Sequence, residues 1–131
     1  MQSGVGAAGA MLYYPNETIQ HAGVIIGVGG VADHAFRRRK RGSDGYFGRA
    51  GLEQDLSCIT AACMVIRREA FEQAGRFDEG LPCAFNDVDL CLTLRRDGWR
   101  IVWTPAAEAY HHESMTLGRH SHPDRADQFR Q

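Results

Sequence analysis

The chain begins with two apolar stretches separated by a turn. Residues 5–14 (VGAAGAMLYY) are small and apolar enough for a strand, PNET at 15–18 has turn chemistry, and IQHAGVIIGVGG at 19–30 predicts a second strand that ends in glycines. From 27 to 54 the sequence is rich in Gly, Arg, Asp and Ser and predicts a long irregular connection. Because such connections in compact domains are usually functional or disordered, the basic run RRRKR at 37–41 becomes a candidate contact surface.

The middle of the chain predicts a strand followed by two helices. CITAACMVIRR at 58–68 predicts a buried strand, and REAFEQAG at 68–75 predicts a short helix that ends at its glycine. The stretch FNDVDLCLTLRRDG at 85–98 predicts an amphipathic helix with Asn86 as its N-cap. The apolar positions that follow the helical period are Phe85, Val88, Cys91 and Leu92.

The last part of the chain predicts two extended segments and a helix. WRIVWTP at 99–105 predicts a strand that Pro105 stops, and EAYHHES at 108–114 predicts a second extended piece. PDRADQFR at 123–130 predicts a helical tail with proline at its start.

Composition narrows the class of protein. With 131 residues, 44% of them hydrophobic, one compact domain is expected. No apolar run approaches the roughly 20 residues that cross a bilayer, and MQSGVGAAGA does not have the pattern of a secretion signal. The net charge of -1 and the lack of a nucleic-acid-binding motif argue against nucleic acid as a partner. The four cysteines lack C-x-x-C spacing and are expected in the core of a cytosolic protein: Cys58, Cys63, Cys83 and Cys91.

Two pairs of residues are candidates for chemistry. Asp87 and Asp89 open the predicted helix at 85–98, where aspartate is also common for structural reasons. His111 and His112 are adjacent in an extended piece and therefore point to opposite faces, so at most one can face a site. Position alone leaves the functional and the structural interpretations of both pairs open.

Three blocks of sequence, in order, carry a family resemblance: AACMVIRREAFEQAGRFDE, FNDVDLCLTLRRDGWRIVWTP and AEAYHHES. Together they resemble the second half of the catalytic domain of family 2 glycosyltransferases, the inverting enzymes of the GT-A fold. YPNETIQHAGVIIGVGG resembles the preceding segment of bacterial, rhamnosyltransferase-like members that build polysaccharides. The resemblance implies an α/β fold in which residues 1–131 form the C-terminal half of a GT-A domain, with a mixed sheet flanked by helices.

The resemblance also implies a role for individual residues. Asp87 matches the general base at this helix start, and Asp89 is expected to cap the first turn or brace nearby loops. Asn86 stands where many members have Glu, which removes a neighbouring charge. The family pattern H-x-E-S matches His111, Glu113 and Ser114, and implies that His111 is a ligand of a divalent ion, Mg or Mn, beside the diphosphate.

The function implied by the resemblance is transfer of a sugar from a nucleoside diphosphate sugar to a glycan acceptor hydroxyl. Sugar transfer would take place in the cytoplasm, at or near the inner face of the membrane. The donor-binding half with its Asp-x-Asp is expected to be absent from residues 1–131, so the isolated chain is expected to be inactive and to hold no metal tightly. The alternative is a non-catalytic interaction or self-assembling module.

Two further expectations concern surfaces. Without a donor half, sheet edge and apolar surface around 5–14 and 101–103 should be exposed and should drive formation of a homo-oligomer. The basic run at 37–41 is either a solvated cluster or a contact for an anionic acceptor, for phospholipid headgroups in a peripheral membrane contact, or for nucleic acid. Composition makes nucleic acid the weakest of these alternatives.

Overall fold

The computed structural model describes residues 3–27, 30–81 and 85–112. Within these ranges the strands are β1 (Val5–Tyr13), β2 (Ile19–His21), β3 (Val24–Ile26), β4 (Ala32–His34), β5 (Gln54–Asp55), β6 (Met64–Ile66) and β7 (Arg100–Tyr110). The α-helices are α1 (Arg68–Gln73) and α2 (Asn86–Arg96). The predicted tail at 123–130, Glu113, Ser114 and Cys83 lie outside the described residues.

The main sheet is mixed and has β1 at its centre. Its order is β2-β1-β7-β5, and β6 also pairs with β1. The pairing of β1 with β7 is parallel, whereas β2, β5 and β6 pair in antiparallel fashion. Strands β3 and β4 form a separate antiparallel pair. This arrangement confirms the predicted α/β class with a mixed sheet and helices.

Strand β1, which was predicted to be an exposed edge of the sheet, is paired on both sides. β1 is paired on one side by β7 and on the other by β6 and β2, so the prediction of an open edge at 5–14 is wrong. Ile101 and Trp103 of β7 are buried, and the Trp103 indole Nε1 donates to the carbonyl of Ala10 at 3.1 Å. The physical reason is that two short antiparallel strands, β2 and β6, pair along the same side of β1 and satisfy its backbone groups.

Helix α2 covers the sheet with a stripe of side chains: Val88, Leu90, Cys91 and Leu94. Leu92, one of the apolar positions that follow the helical period, is 44% exposed. The helix begins at Asn86 instead of being capped by it, and Phe85 occupies the cap position in the left-handed region with φ 68°. The first helix ends as predicted, since Gly75 takes φ 83° just after it.

Strand β7 runs through Pro105 instead of stopping there. Ala10 of β1 pairs with Thr104, but the next residue, Met11, pairs with Glu108. Residues 105–107 therefore bulge out of the ladder. Because proline has no N–H to donate, a bulge is a position in which it costs no ladder hydrogen bond. The two extended pieces predicted at 99–105 and 108–114 form one strand up to Tyr110.

Two predicted strands are shorter than expected. The stretch 19–30 is divided into β2 and β3 at Gly23, which takes φ 100°. The stretch 58–68 yields only β6, preceded by a 3-10 turn at Ala61–Cys63. Cys58 and Cys91 are buried as predicted, whereas Cys63 in that turn is exposed. No helix among the described residues is long and apolar enough to cross a membrane.

Candidate functional site

Asp87 lies in the first turn of α2 and is half-buried. Its Oδ2 accepts the backbone N–H of Ala61 at 3.1 Å, and its Oδ1 accepts the N–H of Val88 at 2.9 Å. The carboxylate therefore joins the start of the helix to the turn that precedes β6. The positive end of the helix dipole stabilises a negative charge in this position. A carboxylate held in this way, with part of its surface open to solvent, can accept a proton from a bound hydroxyl.

Asp89 is in a different environment from Asp87. Its side chain is exposed, and within the part of the chain that the structure describes it makes no hydrogen bond or ion pair. Its backbone N–H bonds to the carbonyl of Phe85 at 3.0 Å, as in any helical first turn. The contacts thus distinguish the two carboxylates, and only that of Asp87 is anchored to a second element.

His111 follows β7 and is half-buried. The side-chain amide of Gln20 contacts it twice: Nε2 donates to the His111 carbonyl at 3.2 Å, and Oε1 lies 2.7 Å from His111 Nδ1. A backbone carbonyl can only accept, so the first contact fixes which end of the amide is the donor. Oε1 is then the acceptor, and His111 Nδ1 must carry the proton. In the neutral tautomer with this contact the lone pair is on Nε2, which is the arrangement found in many metal-binding histidines.

His21 is a second histidine in this region and is completely buried. Its Nε2 accepts the N–H of Thr60 at 3.4 Å, and its Nδ1 lies 3.0 Å from Nδ1 of His34. Because Nε2 accepts, Nδ1 carries the proton and donates to His34. Burial, with a smaller contribution from His34, lowers the pKa of His21 to about 3. The ring is therefore neutral at physiological pH and serves as a fixed support.

Strand β2 connects the two candidate residues. Gln20 holds His111, while its neighbour His21 holds Thr60, and the residue after Thr60 donates its N–H to Asp87. No direct contact joins Asp87 and His111 among the described residues. Sequence reasoning missed Gln20 and His21. The only sign of them was a pair of polar residues inside an apolar stretch, IQHAGVII.

The residues of the basic run at 37–41 differ in the contacts that they make, and Arg41 makes several. Arg41 donates to Glu17 at 2.9 Å and to Glu108 at 2.7 Å, and its guanidinium lies 4.6 Å from the centre of the Tyr13 ring. Tyr110 joins the same cluster through hydrogen bonds to Arg41 and Glu17. Burial, together with the hydrogen bond from Tyr13 to Glu108, raises the pKa of Tyr13 to about 12. Arg41 is therefore paired within the fold, although its side chain is 40% exposed.

Of the predicted metal-site residues, His111 lies within the described part of the chain. Among residues 3–27, 30–81 and 85–112, no group of three or more His, Cys, Asp or Glu side chains could hold a metal ion. His111 fits the chemistry of a single ligand because its Nε2 carries the lone pair. Its two predicted companions, Glu113 and Ser114, lie outside the described residues. The assignment of His111 to a metal stays a prediction.

Comparison with known proteins gives the class to which this mixed α/β domain belongs. A family model described as "Glycosyltransferase like family 2" matches residues 31–124. The match includes the candidate residues Asp87 and His111. The chain belongs to glycosyltransferase family 2, which confirms the resemblance noted in its sequence.

Three relatives indicate the breadth of the similarity. The chain is 51% identical over 128 residues to the uncharacterized protein y4gI of Sinorhizobium fredii, covering 97% of the chain and 14% of that protein. It is 41% identical over 113 residues to the O-antigen biosynthesis protein RfbC of Myxococcus xanthus, covering 86% of the chain and 9% of that protein. It is 39% identical over 67 residues to the N-acetylglucosaminyl-diphospho-decaprenol L-rhamnosyltransferase of Mycobacterium tuberculosis, covering 51% of the chain and 22% of that protein.

The chain therefore spans less than a quarter of the length of each of these relatives. No solved structure matches it significantly.

Proposed function

We propose that the chain is the acceptor-side, catalytic-base part of an inverting glycosyltransferase that builds a polysaccharide or glycoconjugate. The observation that carries this proposal is the anchoring of Asp87, whose carboxylate is half-buried and bonded to Ala61 at 3.1 Å. Family membership and the similarity to proteins named for O-antigen biosynthesis and rhamnosyl transfer support it. The donor nucleotide would be held by another part of the catalytic domain, so residues 1–131 alone would transfer no sugar.

The reaction is an in-line displacement at the anomeric carbon of the donor sugar. The acceptor hydroxyl oxygen forms the new bond to that carbon while the bond to the nucleoside diphosphate breaks on the opposite face. The acceptor hydroxyl loses its proton to Asp87, and the electron pair of the broken bond leaves with the diphosphate. A carboxylate that two backbone N–H groups hold in place is oriented before the acceptor arrives.

His111 would supply one ligand to a divalent ion, Mg or Mn, through Nε2. When bound, such an ion neutralises charge on the leaving diphosphate. Gln20 keeps the ring in the tautomer that makes Nε2 available. One imidazole cannot complete a site that prefers oxygen ligands, so the remaining ligands would come from the donor diphosphate and from other residues, with Glu113 and Ser114 as supporting candidates.

The substrates follow from the same proposal. The donor is a nucleoside diphosphate sugar, and the acceptor is a glycan carried on a diphosphate-linked lipid. Such an acceptor would bring the enzyme to the inner face of the membrane, where a peripheral contact would suffice. One relative whose name contains both a diphosphate-linked lipid and rhamnosyl transfer supports this choice of acceptor.

A matched pair of substitutions tests the role of Asp87. In the full-length protein, Asp87→Asn keeps a polar side chain at the helix start and should leave donor binding nearly unchanged. The transfer rate should fall by roughly 10²- to 10⁴-fold, which is the usual effect of removing a positioned base. Asp89→Asn is the control and should keep near-normal turnover. If instead Asp89→Asn abolished transfer in a folded protein while Asp87→Asn did not, the base would be assigned to the wrong carboxylate.

His111→Ala separates the metal role from the base role. We expect weaker metal-dependent donor binding, and a loss of rate that excess metal partly restores. Excess metal should not restore the Asp87→Asn variant, because that variant lacks the proton acceptor.

A non-catalytic interaction module is the alternative, and one observation favours it. Tyr46 and Phe47 are 69% and 83% exposed, and their rings contact each other at 4.5 Å between centroids. These two rings offer exposed apolar surface for a homo-oligomer. Light scattering of the wild type and of Phe47→Ser would show whether the chain associates through this surface. A monomer at high concentration in both would count against the alternative.

A further inference from the structure

Three neighbouring cations on the surface have no counter-charge in the described part of the chain. Arg38, Arg39 and Lys40 are exposed, and no ion pair or side-chain hydrogen bond is seen for any of them there. Their neighbours on either side differ. Arg37 lies 3.8 Å from Asp33, and Arg41 is bonded to two glutamates. The run thus presents three positive charges that the fold leaves available.

The backbone that carries these cations is held in place. Arg38 N–H donates to the Ile19 carbonyl at 2.7 Å, and Ile19 N–H donates to the Arg39 carbonyl at 2.7 Å. Thr18 and Lys40 form an antiparallel bridge next to them. Arg38 also takes the left-handed conformation with φ 65°, which the two bonds to Ile19 maintain. Little conformational freedom of the backbone would be lost when a ligand binds.

A depression lies beside this segment. Its volume is about 600 Å³, and the residues that line it are Tyr14, Pro15, Asn16, Thr18 and Arg38. The depression and the proposed metal ligand lie at the same end of β1, because the N–H of His111 donates to the carbonyl of Tyr13 at 3.0 Å and the lining residue Tyr14 is the next in the chain. The available cations, the concave surface and the candidate site thus occur at the same end of β1 and β7.

We infer that Arg38, Arg39 and Lys40, with the adjoining depression, bind the diphosphate of the anionic acceptor. The inference rests on the proposed function and adds to it a location for the charged part of that substrate. Arginine guanidinium groups match phosphate oxygens with two parallel hydrogen bonds, and lysine adds a compact charge. Membrane-binding basic segments typically carry about four to eight cations, so three favour a compact anion over a bilayer surface.

The experiment uses inorganic pyrophosphate as the probe, with the full chain and without divalent ions, so that a metal at His111 cannot contribute. Isothermal calorimetry gives the affinity, and backbone NMR shifts give the location. The test variant combines Arg38→Gln, Arg39→Gln and Lys40→Gln. The control variant removes the same charge elsewhere with Arg68→Gln, Arg76→Gln and Arg96→Gln. Circular dichroism checks that both variants are folded.

The expected result is that pyrophosphate shifts the amides of residues 14–18 and 37–41 in the wild type. Affinity should fall by about tenfold or more in the test variant, because hydrogen bonds to charged groups are lost, and should change little in the control. A second measurement compares vesicles of neutral phosphatidylcholine with vesicles that also contain anionic phosphatidylglycerol. Binding only to the anionic vesicles, with none to pyrophosphate, would overturn the inference in favour of a membrane contact.

Equal loss of pyrophosphate affinity in the test and control variants would also overturn the inference, because it would show an effect of net charge alone. A failure of the proposed function would give a different result from a failure of this inference. Pyrophosphate binding is measured without sugar transfer, and Asp87→Asn should bind pyrophosphate like the wild type. If Asp87→Asn left transfer intact while pyrophosphate binding behaved as expected, the assignment of the base would fail and the anion site would remain.

Discussion

Gln20 holds His111 with both ends of its side-chain amide, donating to the backbone carbonyl at 3.2 Å and accepting from ring Nδ1 at 2.7 Å. The two residues are separated by 91 positions in the chain and meet because β2 and β7 both pair with β1. Gln20 is 4% exposed, so its amide has little access to water as an alternative partner. The ring orientation and the tautomer of His111 are therefore set by a residue outside the motif that contains it.

Replacement of Gln20 should change the tautomer of His111. In Gln20→Leu the acceptor for Nδ1–H is lost, and we expect a mixture of the two neutral tautomers in place of one. Gln20→Glu keeps an acceptor for Nδ1–H but cannot donate to the His111 carbonyl, so the tautomer should persist. Long-range nitrogen–proton NMR of the ring at alkaline pH measures this directly. The exposed ring of His112 is the internal control. An unchanged His111 spectrum in Gln20→Leu would contradict the role given to Gln20.

Two leucines of α2 offer a matched test of its packing. Leu94 is completely buried, whereas Leu92 is 44% exposed. Leu94→Ala should lower the free energy of unfolding by about 2–5 kcal/mol, because it leaves a cavity under the helix. Leu92→Ala should change it by no more than about 0.5 kcal/mol, as is usual for surface positions. Urea unfolding measures both, and equal losses would show that the helix packs through a different face.

The sequence predicted α2 well because the periodicity of a helix is local. It did not identify which leucines are buried, since Leu90 and Leu94 were left out and Leu92 was included. A rotation of α2 by part of a turn changes which leucines are buried. The rotation is set by packing against the sheet, which the helical period does not contain. The N-cap of α2 is Phe85, one residue before the predicted Asn86, because Phe85 adopts a left-handed conformation that a residue of its type rarely takes.

Long-range pairing explains the larger differences. The composition of β1 indicated a strand but could not show that β6 and β2 would cover one side of it and β7 the other. Asp87 became a candidate through a family motif that is local in sequence. Gln20 and His21 were not found, because their polar side chains are explained only by His111 and Thr60, which lie far along the chain.

Arg41 should tolerate substitution less well than its neighbours. Its guanidinium bonds Glu17 and Glu108 together and stacks over Tyr13, and a lysine ammonium has neither the planar fork nor the stacking surface. We expect Arg41→Lys to lower the thermal midpoint by a few degrees. Arg39→Lys, which keeps the same charge at an exposed position, should leave it unchanged. Calorimetry of the two variants tests this, and equal midpoints would show that the Arg41 cluster contributes nothing to stability.

The buried ring of His21 should make the protein sensitive to mild acid. In the folded state the pKa of His21 is lowered to about 3, chiefly by burial, whereas in the unfolded chain it is about 6.5. Above the unfolded value the ring is neutral in both states and pH has no effect through it. As the pH falls below about 6.5, the unfolded chain gains a proton that the folded ring does not, so stability decreases. The slope approaches 1.4 kcal/mol per pH unit, or about 2 kcal/mol between pH 7 and pH 5.

Urea unfolding of the wild type and of His21→Gln between about pH 7 and pH 5 measures this contribution, since most carboxylates titrate below that range. His21→Gln will be less stable at every pH, because it loses the bond with Thr60 or with His34, but its stability should vary less with pH than that of the wild type. His112→Gln removes an exposed ring and should keep the slope of the wild type. If stability varied with pH in His21→Gln as in the wild type, while His112→Gln lost this variation, the acid sensitivity would come from the exposed His112 and not from the buried His21.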